Sequence, residues 1–276
     1  MLFESLYRPF EQRESRLILD GFLTRIMHAL SFLSRIPVSD TFFNGVKVDM
    51  LAATRVFPVT GLMIALPSAF LLGLLDRAHA DPLVSAGLIL GIATVITGAL
   101  HEDGLADTAD GFGGGADKER TLTIMKDSRI GSYGAIALIL SYLARAAAIA
   151  VLIRELPWPA SAACLIAVAS FSRAMMVWHW HDLPPAREGG IAASIGQPSR
   201  TDCNQALFFG TAIACVTLFS SISIIGSIVI LSCASAAAYL FGRQCQKKIN
   251  GHTGDTIGAT QQITEIVMLV ALALLA

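Results

Sequence analysis

Residues 82–100 read PLVSAGLILGIATVITGAL, nineteen residues without a charge, and residues 101–115 read HEDGLADTADGFGGG. The first run is long enough for an α-helix to cross the hydrocarbon of a bilayer. The second places Asp103, Asp107 and Asp110 at i, i+4 and i+7, so on a helix their carboxylates share one face. Each like-charge neighbour at i,i+4 costs about 0.2–0.5 kcal/mol on an exposed helix, and more in the low dielectric beside a membrane. Aspartate is a poor helix former, and a helix C-terminus disfavours negative charge. Three of them at the end of an apolar run therefore read as a functional feature rather than a solvated helix end. A cation is expected among them. Oxygen ligands without thiolate point to Mg²⁺ or Mn²⁺ rather than zinc, and Mg²⁺ usually takes one or two carboxylates plus substrate phosphates.

Working outward, the chain of 276 residues is 54% apolar and only 15% charged, against about 25% charged for a soluble domain. The expected fold is all-α, a polytopic transmembrane bundle of about six to seven spans forming a single catalytic domain over residues 1–276. Residues 1–16 read as a polar leader, too acidic for a secretory signal. Leu17 to Pro37 reads as an amphipathic helix, too charged to span, lying at the interface or beneath the bundle. Expected spans are Val56 to Leu75, kinked or broken by Pro58 and Pro67; Pro82 to Leu100; Ile130 to Ile153; Leu156 to Trp180; and two helices within Ala206 to Gly242, split around Ser220 to Gly226. Ile263 to Ala276 is apolar but short, a half-span or a packed terminal helix. The segments 101–129, 181–205 and 243–262 read as polar loops. With the N-terminal segment they hold 16 of the 20 Lys and Arg. By the positive-inside rule they face the cytoplasm of a bacterial inner membrane. A net charge of −1 gives no sign of a nucleic-acid partner. The five cysteines form no CxxC and read as small core residues.

Further motifs lie in the loops. Lys126, Asp127 and Arg129 cluster beside small residues, where Asp127 is placed to join a metal and Arg129 to clamp a phosphate; the plainer reading is a basic membrane anchor with one salt bridge. Arg173 lies well inside a span, a functional candidate by position that also suits pairing with a buried carboxylate. The run Gly113 to Gly115 lets backbone amides approach a phosphate or is simply flexible. Arg187-Glu188-Gly189-Gly190 and Asn250 to Gly258 are Gly-rich polar loops, and Asp255 within the second either binds metal or a sugar hydroxyl or caps the last helix. His179 and His181, at the membrane edge, read as structural. Walker A, HExxH, GxSxG and dinucleotide fingerprints do not occur in the sequence. Carboxylates and arginines without an obvious nucleophile suit phosphoryl or phosphodiester transfer.

The blocks His101 to Gly111, Ile124-Met125-Lys126-Asp127-Ser128-Arg129-Ile130-Gly131 and Thr253-Gly254-Asp255-Thr256-Ile257-Gly258-Ala259 resemble the signatures of the cobalamin synthase family, the adenosylcobinamide-GDP ribazoletransferases. Supporting blocks are Phe32 to Pro37, Phe57-Pro58 with Gly61, Ser172-Arg173 and Arg187-Glu188-Gly189. They run in the family's order from about residue 30 to the end. The resemblance implies a Mg²⁺-dependent integral membrane enzyme that joins adenosylcobinamide-GDP to α-ribazole or its 5′-phosphate and releases GMP. On that reading Asp103, Asp107 and Asp110 are expected to hold the metal, with Asp127 assisting. Arg129, Arg173, Arg187 and Asp255 are expected substrate contacts, and His101 or an aspartate the expected acceptor of the ribazole 5′-hydroxyl proton. The family pattern carries an acid where this chain has Gln262, while Glu265 remains. A homo-oligomer is a further expectation. Two other readings are a CDP-alcohol phosphotransferase-like lipid enzyme, whose motif begins like Asp107-Thr108-Ala109-Asp110-Gly111, and an ion-coupled transporter using Arg145 and Arg173.

Overall fold

The structure, a computed structural model, describes residues 21–44, 49–219 and 221–276. The polar leader and residues 17–20 of the expected first helix lie outside the described residues. Helix α1 spans Gly21–Leu33. After a 3-10 turn at Asp40–Phe42 come α2 (Met50–Thr54), α3 (Phe57–Arg77), α4 (Pro82–Thr97), α5 (Leu100–Gly114), α6 (Lys118–Ile124) and α7 (Ser132–Glu155). Then follow α8 (Trp158–Asp182), α9 (Ile191–Ile195), α10 (Arg200–Leu218), α11 (Ile224–Ile249) and α12 (Gly254–Leu275). Among the described residues there is no β-strand, only an isolated bridge between Pro185 and His252.

Helices α3, α7, α8, α11 and α12 are long and apolar enough to cross a membrane, and the bent pair α4–α5 supplies a sixth. The protein is an integral membrane protein. We read α4 as that sixth crossing and α5, which leaves it at 91°, as lying outside it. Helix α10 opens with five polar residues in its first six, Arg200 to Gln205, and lacks the hydropathy of the other six. It nevertheless packs along α8 and α3. Helix α8 is the central pillar, with 78% of its apolar window buried, whereas α11 buries only 17% and lies at the edge. Leu66, Phe70, Ile139, Leu143, Ile225 and Ile228 are exposed, as a lipid-facing surface requires. Helix α1 lays Leu30 and Leu33 against Phe57, Val177 and Trp180, so the N-terminal amphipathic helix packs into one end of the bundle.

Several boundaries differ from the expected ones for identifiable reasons. Pro58 occupies the first turn of α3, where its missing N–H costs nothing, and Pro67 sits inside the helix without ending it. The loops expected at 101–129 and 181–205 contain α5, α6 and α9 and the start of α10. The loop expected over 243–262 shrinks to residues 250–253, since α11 runs to Ile249 and α12 starts at Gly254. Helix α12 is thus 22 residues long and counts as a full span, not a half-span. Its first half looked loop-like because Thr256, Thr260, Gln261 and Gln262 are polar, yet all four are buried.

The acidic segment does not continue the apolar helix. Gly98 and Ala99 both adopt left-handed conformations, φ 64° and 59°, which end α4 and start α5 in a new direction. The Arg35 amide caps the break by donating to the Ile96 carbonyl at 2.7 Å. Glu102 and Asp103 therefore occupy the first turn of a helix, where the macrodipole favours negative charge. The expectation of a helix C-terminus burdened with acids is corrected.

Candidate active site

At one end of the bundle, α5, the start of α12 and the chain that follows α8 enclose a cleft of about 400 Å³. It is lined by the polar residues Asp103, Arg187, His252, Thr253 and Asp255 and by the apolar residues Phe32, Phe57, Met176, Trp180 and Ile257, among others.

Close packing places α5. A Cβ on Gly104 would lie 2.6 Å from the Asp255 carbonyl oxygen, and one on Gly258 would lie 3.4 Å from His101 Cα. Glycine on both sides lets the two backbones touch. At the far end of α5, Asp110 accepts hydrogen bonds from the amides of Gly131 (2.7 Å) and Gly134 (2.9 Å), capping the start of α7. Lys248 Nζ donates to the Phe112 carbonyl at 3.0 Å, a cation at a helix C-terminus. The glycines of residues 111–115 serve the same packing. A Cβ at Gly113 would meet the Tyr133 ring at 2.5 Å, and one at Gly115 the Thr121 side chain. This accounts for the run without a phosphate.

Asp103, Asp107, Asp110 and Asp255 crowd one another electrostatically. Partial burial, then the charges of Asp103, Asp255 and Asp110, push Asp107 up to about 7, with the Arg187 guanidinium acting in the opposite direction. Arg187 lies 3.7 Å from Asp255 Oδ2 and donates to the Leu122 carbonyl at 3.3 Å, joining the loop after α8 to α6 and α12. Helix α12 is capped by Thr253, whose hydroxyl and amide both pair with Thr256. Asp255 is therefore not the cap; its carboxylate lines the cleft and accepts a hydrogen bond from the Thr253 hydroxyl at 3.1 Å. His252 is buried in the cleft wall, and burial lowers its imidazole to about 4, so it is neutral there at physiological pH.

Other expected site residues lie elsewhere. Asp127 pairs with Arg129 at 2.6 Å on the surface, where Arg129 is 87% exposed. The Arg129 hydrogen bonds hold Asp127 at about 2. Neither residue lines the cleft. Arg173 is buried in α8, donates Nη1 to the Ala169 carbonyl at 2.9 Å, and lines a separate inner cavity of about 60 Å³. His101 is 1% exposed and lines both cavities. His179 pairs with Thr256 and His181 with the Pro198 carbonyl, so both are structural. The cysteines are free; Cys164, Cys203 and Cys245 are buried.

Around the inner cavity is a polar knot that the sequence did not assemble. Arg145, on α7, donates Nη1 to Glu102 (3.3 Å) and Glu265 (3.0 Å) and stacks over Tyr142 at 4.6 Å. Gln261 ties Glu265 to Ser172, and Gln262 donates to Glu102 at 3.4 Å. An acid at position 262 would face Glu102 directly, so the amide suits its neighbour. The signal was present as charges of opposite sign, Arg145 and Glu265, inside apolar runs. Their partnership depends on how three helices rotate against each other. Among the described residues no three His, Cys, Asp or Glu side chains gather closely enough to hold a metal alone. Two carboxylates completed by substrate oxygens is the arrangement that hard Mg²⁺ ions commonly accept.

The chain matches the family described as Cobalamin-5-phosphate synthase over residues 25–273. It belongs to that family. It is 49% identical over 250 residues to the adenosylcobinamide-GDP ribazoletransferase of Sinorhizobium medicae (strain WSM419), covering 90% of this chain and 95% of the relative. The protein of that name from Rhizobium meliloti (strain 1021) is 48% identical with the same coverage. That of Brucella anthropi is 37% identical over 248 residues, 90% of this chain and 95% of the relative. No solved structure matches. The match over residues 25–273 takes in every cleft residue named above, from Phe32 in α1 to Ile257 in α12.

Proposed function

We propose that this cleft is the active site of an adenosylcobinamide-GDP ribazoletransferase, catalysing the last step of cobalamin assembly. A ribose hydroxyl of α-ribazole, or of its 5′-phosphate, attacks the phosphorus that bears cobinamide. A new P–O bond forms, the pyrophosphate bridge breaks, and GMP leaves with the bridging oxygen. The family's name describes a product that keeps a phosphate at position 5, so with the phosphorylated acceptor the attacking hydroxyl is not the 5′ one. That revises the expected 5′-hydroxyl attack. The observation carrying the reading is the convergence of Asp103, Arg187 and Asp255, from three separate segments, on one cleft.

Asp103, which lines the cleft, and Asp107, one turn further along α5 and outside its lining, are suited to hold Mg²⁺ together with pyrophosphate oxygens, relieving the repulsion that raises Asp107. Bound there, the ion would offset charge developing on the transferred phosphoryl group. Asp110 and Asp127 are committed to the α7 cap and to Arg129, so they leave the expected ligand set. Arg187 contacts phosphate and Asp255 a ribose hydroxyl. His101 or an aspartate takes the hydroxyl proton; burial, then the charges of Arg173 and Arg145, hold the His101 imidazole well below its ordinary value and make it a weak base. Arg173 acts from beneath through the inner cavity rather than as a clamp. The basic residues of the polar segments at this end of the bundle support a cleft facing the cytoplasm from a bacterial inner membrane. The lipid phosphotransferase and transporter readings recede with the family assignment.

The test is GMP release by detergent-purified protein given adenosylcobinamide-GDP and α-ribazole, with and without Mg²⁺, for the wild type and Asp103→Asn. Metal-dependent release lost in a folded Asp103→Asn supports the site. Full activity in that variant moves the chemistry elsewhere.

A further inference from the structure

Helix α10 stands apart from the six spanning helices. Beyond its polar start, Phe208 is 68% exposed, and Val216 and Phe219 are exposed further along. Thr211 and Cys215 are exposed between them. Steps of three and four residues put these positions on one helical face.

At the polar end of that face, α1 and the residue after α2 meet α10 around an open groove of about 530 Å³, lined by Phe22, Arg25, Arg55, Thr201, Asn204 and Phe208, among others. These side chains have surface to give: Thr201, Asn204 and Phe208 are exposed and Arg25 is half-buried. Arg25 has no hydrogen bond or ion pair among the described residues. Arg55 pairs with Asp202 at 2.6 Å, and its Nε is left without an acceptor. The lining thus holds two guanidiniums and no carboxylate, with Asp202 the acid behind one of them.

A second groove of about 490 Å³ shares Asn204 and Phe208 with the first and continues along α10 past Leu207, Thr211 and Ala212. From Thr201 to Ala212 the helix rises about 16 Å, passing from cationic and amide groups to mainly hydrocarbon. That order suits a molecule with an anionic head and an acyl chain. Its phosphate meets a planar guanidinium, and its chain covers the apolar face of α10. A free phosphate uses only the first groove, and a zwitterionic head brings its own cation to Arg25.

We propose that the groove between α1 and α10 binds an anionic phospholipid, its phosphate on Arg25 and one acyl chain along Phe208. Helix α1, at 13 residues too short to span, is thereby held to the bilayer.

The experiment titrates phosphatidylglycerol, or phosphatidylcholine with the same acyl chains, into the full-length protein in neutral detergent and follows the melting temperature. Phosphatidylglycerol should raise it at the lower concentration. In Arg25→Gln the half-saturating phosphatidylglycerol should rise on the order of 5-fold, the effect of one basic residue at an anionic surface, while in Arg120→Gln, which removes an exposed charge from α6, it should stay within about twofold of wild type. Thr201→Glu places an acid in the first turn of α10, where the helix tolerates it, and should weaken binding in the same way; it decides the matter if Arg25→Gln does not fold. Glycerol phosphate alone should not reproduce the shift. Equal responses to the two lipids, or an equal loss in Arg120→Gln, would overturn the proposal. So would a full response to glycerol phosphate, which would make the groove a free-phosphate site. A lipid response that appears only when residues 1–16 are deleted would also overturn it and give the groove to that segment.

Discussion

Gly104 meets the backbone of Asp255 so closely that a single added methyl would lie 2.6 Å from the Asp255 carbonyl oxygen. The obstacle is backbone, not a flexible side-chain tip, so the crossing of α5 and α12 must open to admit it. Gly104→Ala is expected to cost about 1–3 kcal/mol through overpacking and to reduce GMP release more than 10-fold by parting Asp103 from Asp255. At Gly87, in α4, an added methyl would meet nothing within 4 Å, and Gly87→Ala should be neutral or stabilising by up to about 1 kcal/mol. Thermal unfolding in detergent alongside GMP release checks both; equal behaviour of the two variants would contradict the close-packing account.

Asp103 and Asp110 share a helix face in sequence but not a role. Asp110 is 8% exposed and accepts two α7 amides, charge-assisted bonds worth about 1.5–3 kcal/mol. Asp110→Asn should therefore lower the melting temperature and with it the yield of active protein. Asp103→Asn should leave melting unchanged and abolish turnover. The comparison needs only the two melting curves and the two rates at saturating substrate and Mg²⁺. Unperturbed melting in Asp110→Asn would return that carboxylate to the metal ligands.

Much of this division was legible in the order of residues alone. The charge-free runs marked most of the spans, though not α10, and one of the spaced acids, Asp103, with the Gly-rich loops around 187 and 255, supplied parts of the cleft. What stayed hidden has physical causes. The turn between α4 and α5 depends on two consecutive left-handed residues, one of them an alanine, and alanine carries no turn signal. The length of α12 was concealed because its polar residues face a protein interior rather than water. Asp127 looked like a ligand because it lies beside a basic residue, yet that same residue, Arg129, occupies it at the surface.

Arg145 illustrates the same point with a larger expected effect. It is 2% exposed and carries the hydrogen bonds that hold Glu102 and Glu265. Replacing it with methionine strands two carboxylates in a low-dielectric interior, a loss of about 3–5 kcal/mol. Adding Glu102→Gln and Glu265→Gln to Arg145→Met should recover most of that, because the cost lies in the unpaired charges. Chemical or thermal unfolding of the single and triple variants measures the recovery. Additive losses would mean that the three residues do not act as one unit.

The cleft also predicts an opposed pair of pH effects on metal-free protein. His252 has its imidazole lowered from 6.5 to about 4 by burial, so the unfolded chain binds more protons between those values, and stability rises with pH across that window. Asp107 is raised from 3.8 to about 7 by partial burial and neighbouring carboxylates. There the folded protein binds more protons, so its contribution falls as pH rises from about 4 to 7. His252→Asn should remove the first slope and Asp107→Asn the second. Melting temperatures from pH 4 to 8 without divalent ions resolve them. Adding Mg²⁺ should then raise the melting temperature of the wild type at pH 8 and leave it unchanged at pH 5, where Asp107 is protonated. A Mg²⁺ response equal at both pH values, or one that survives in Asp107→Asn, would separate that carboxylate from the ion.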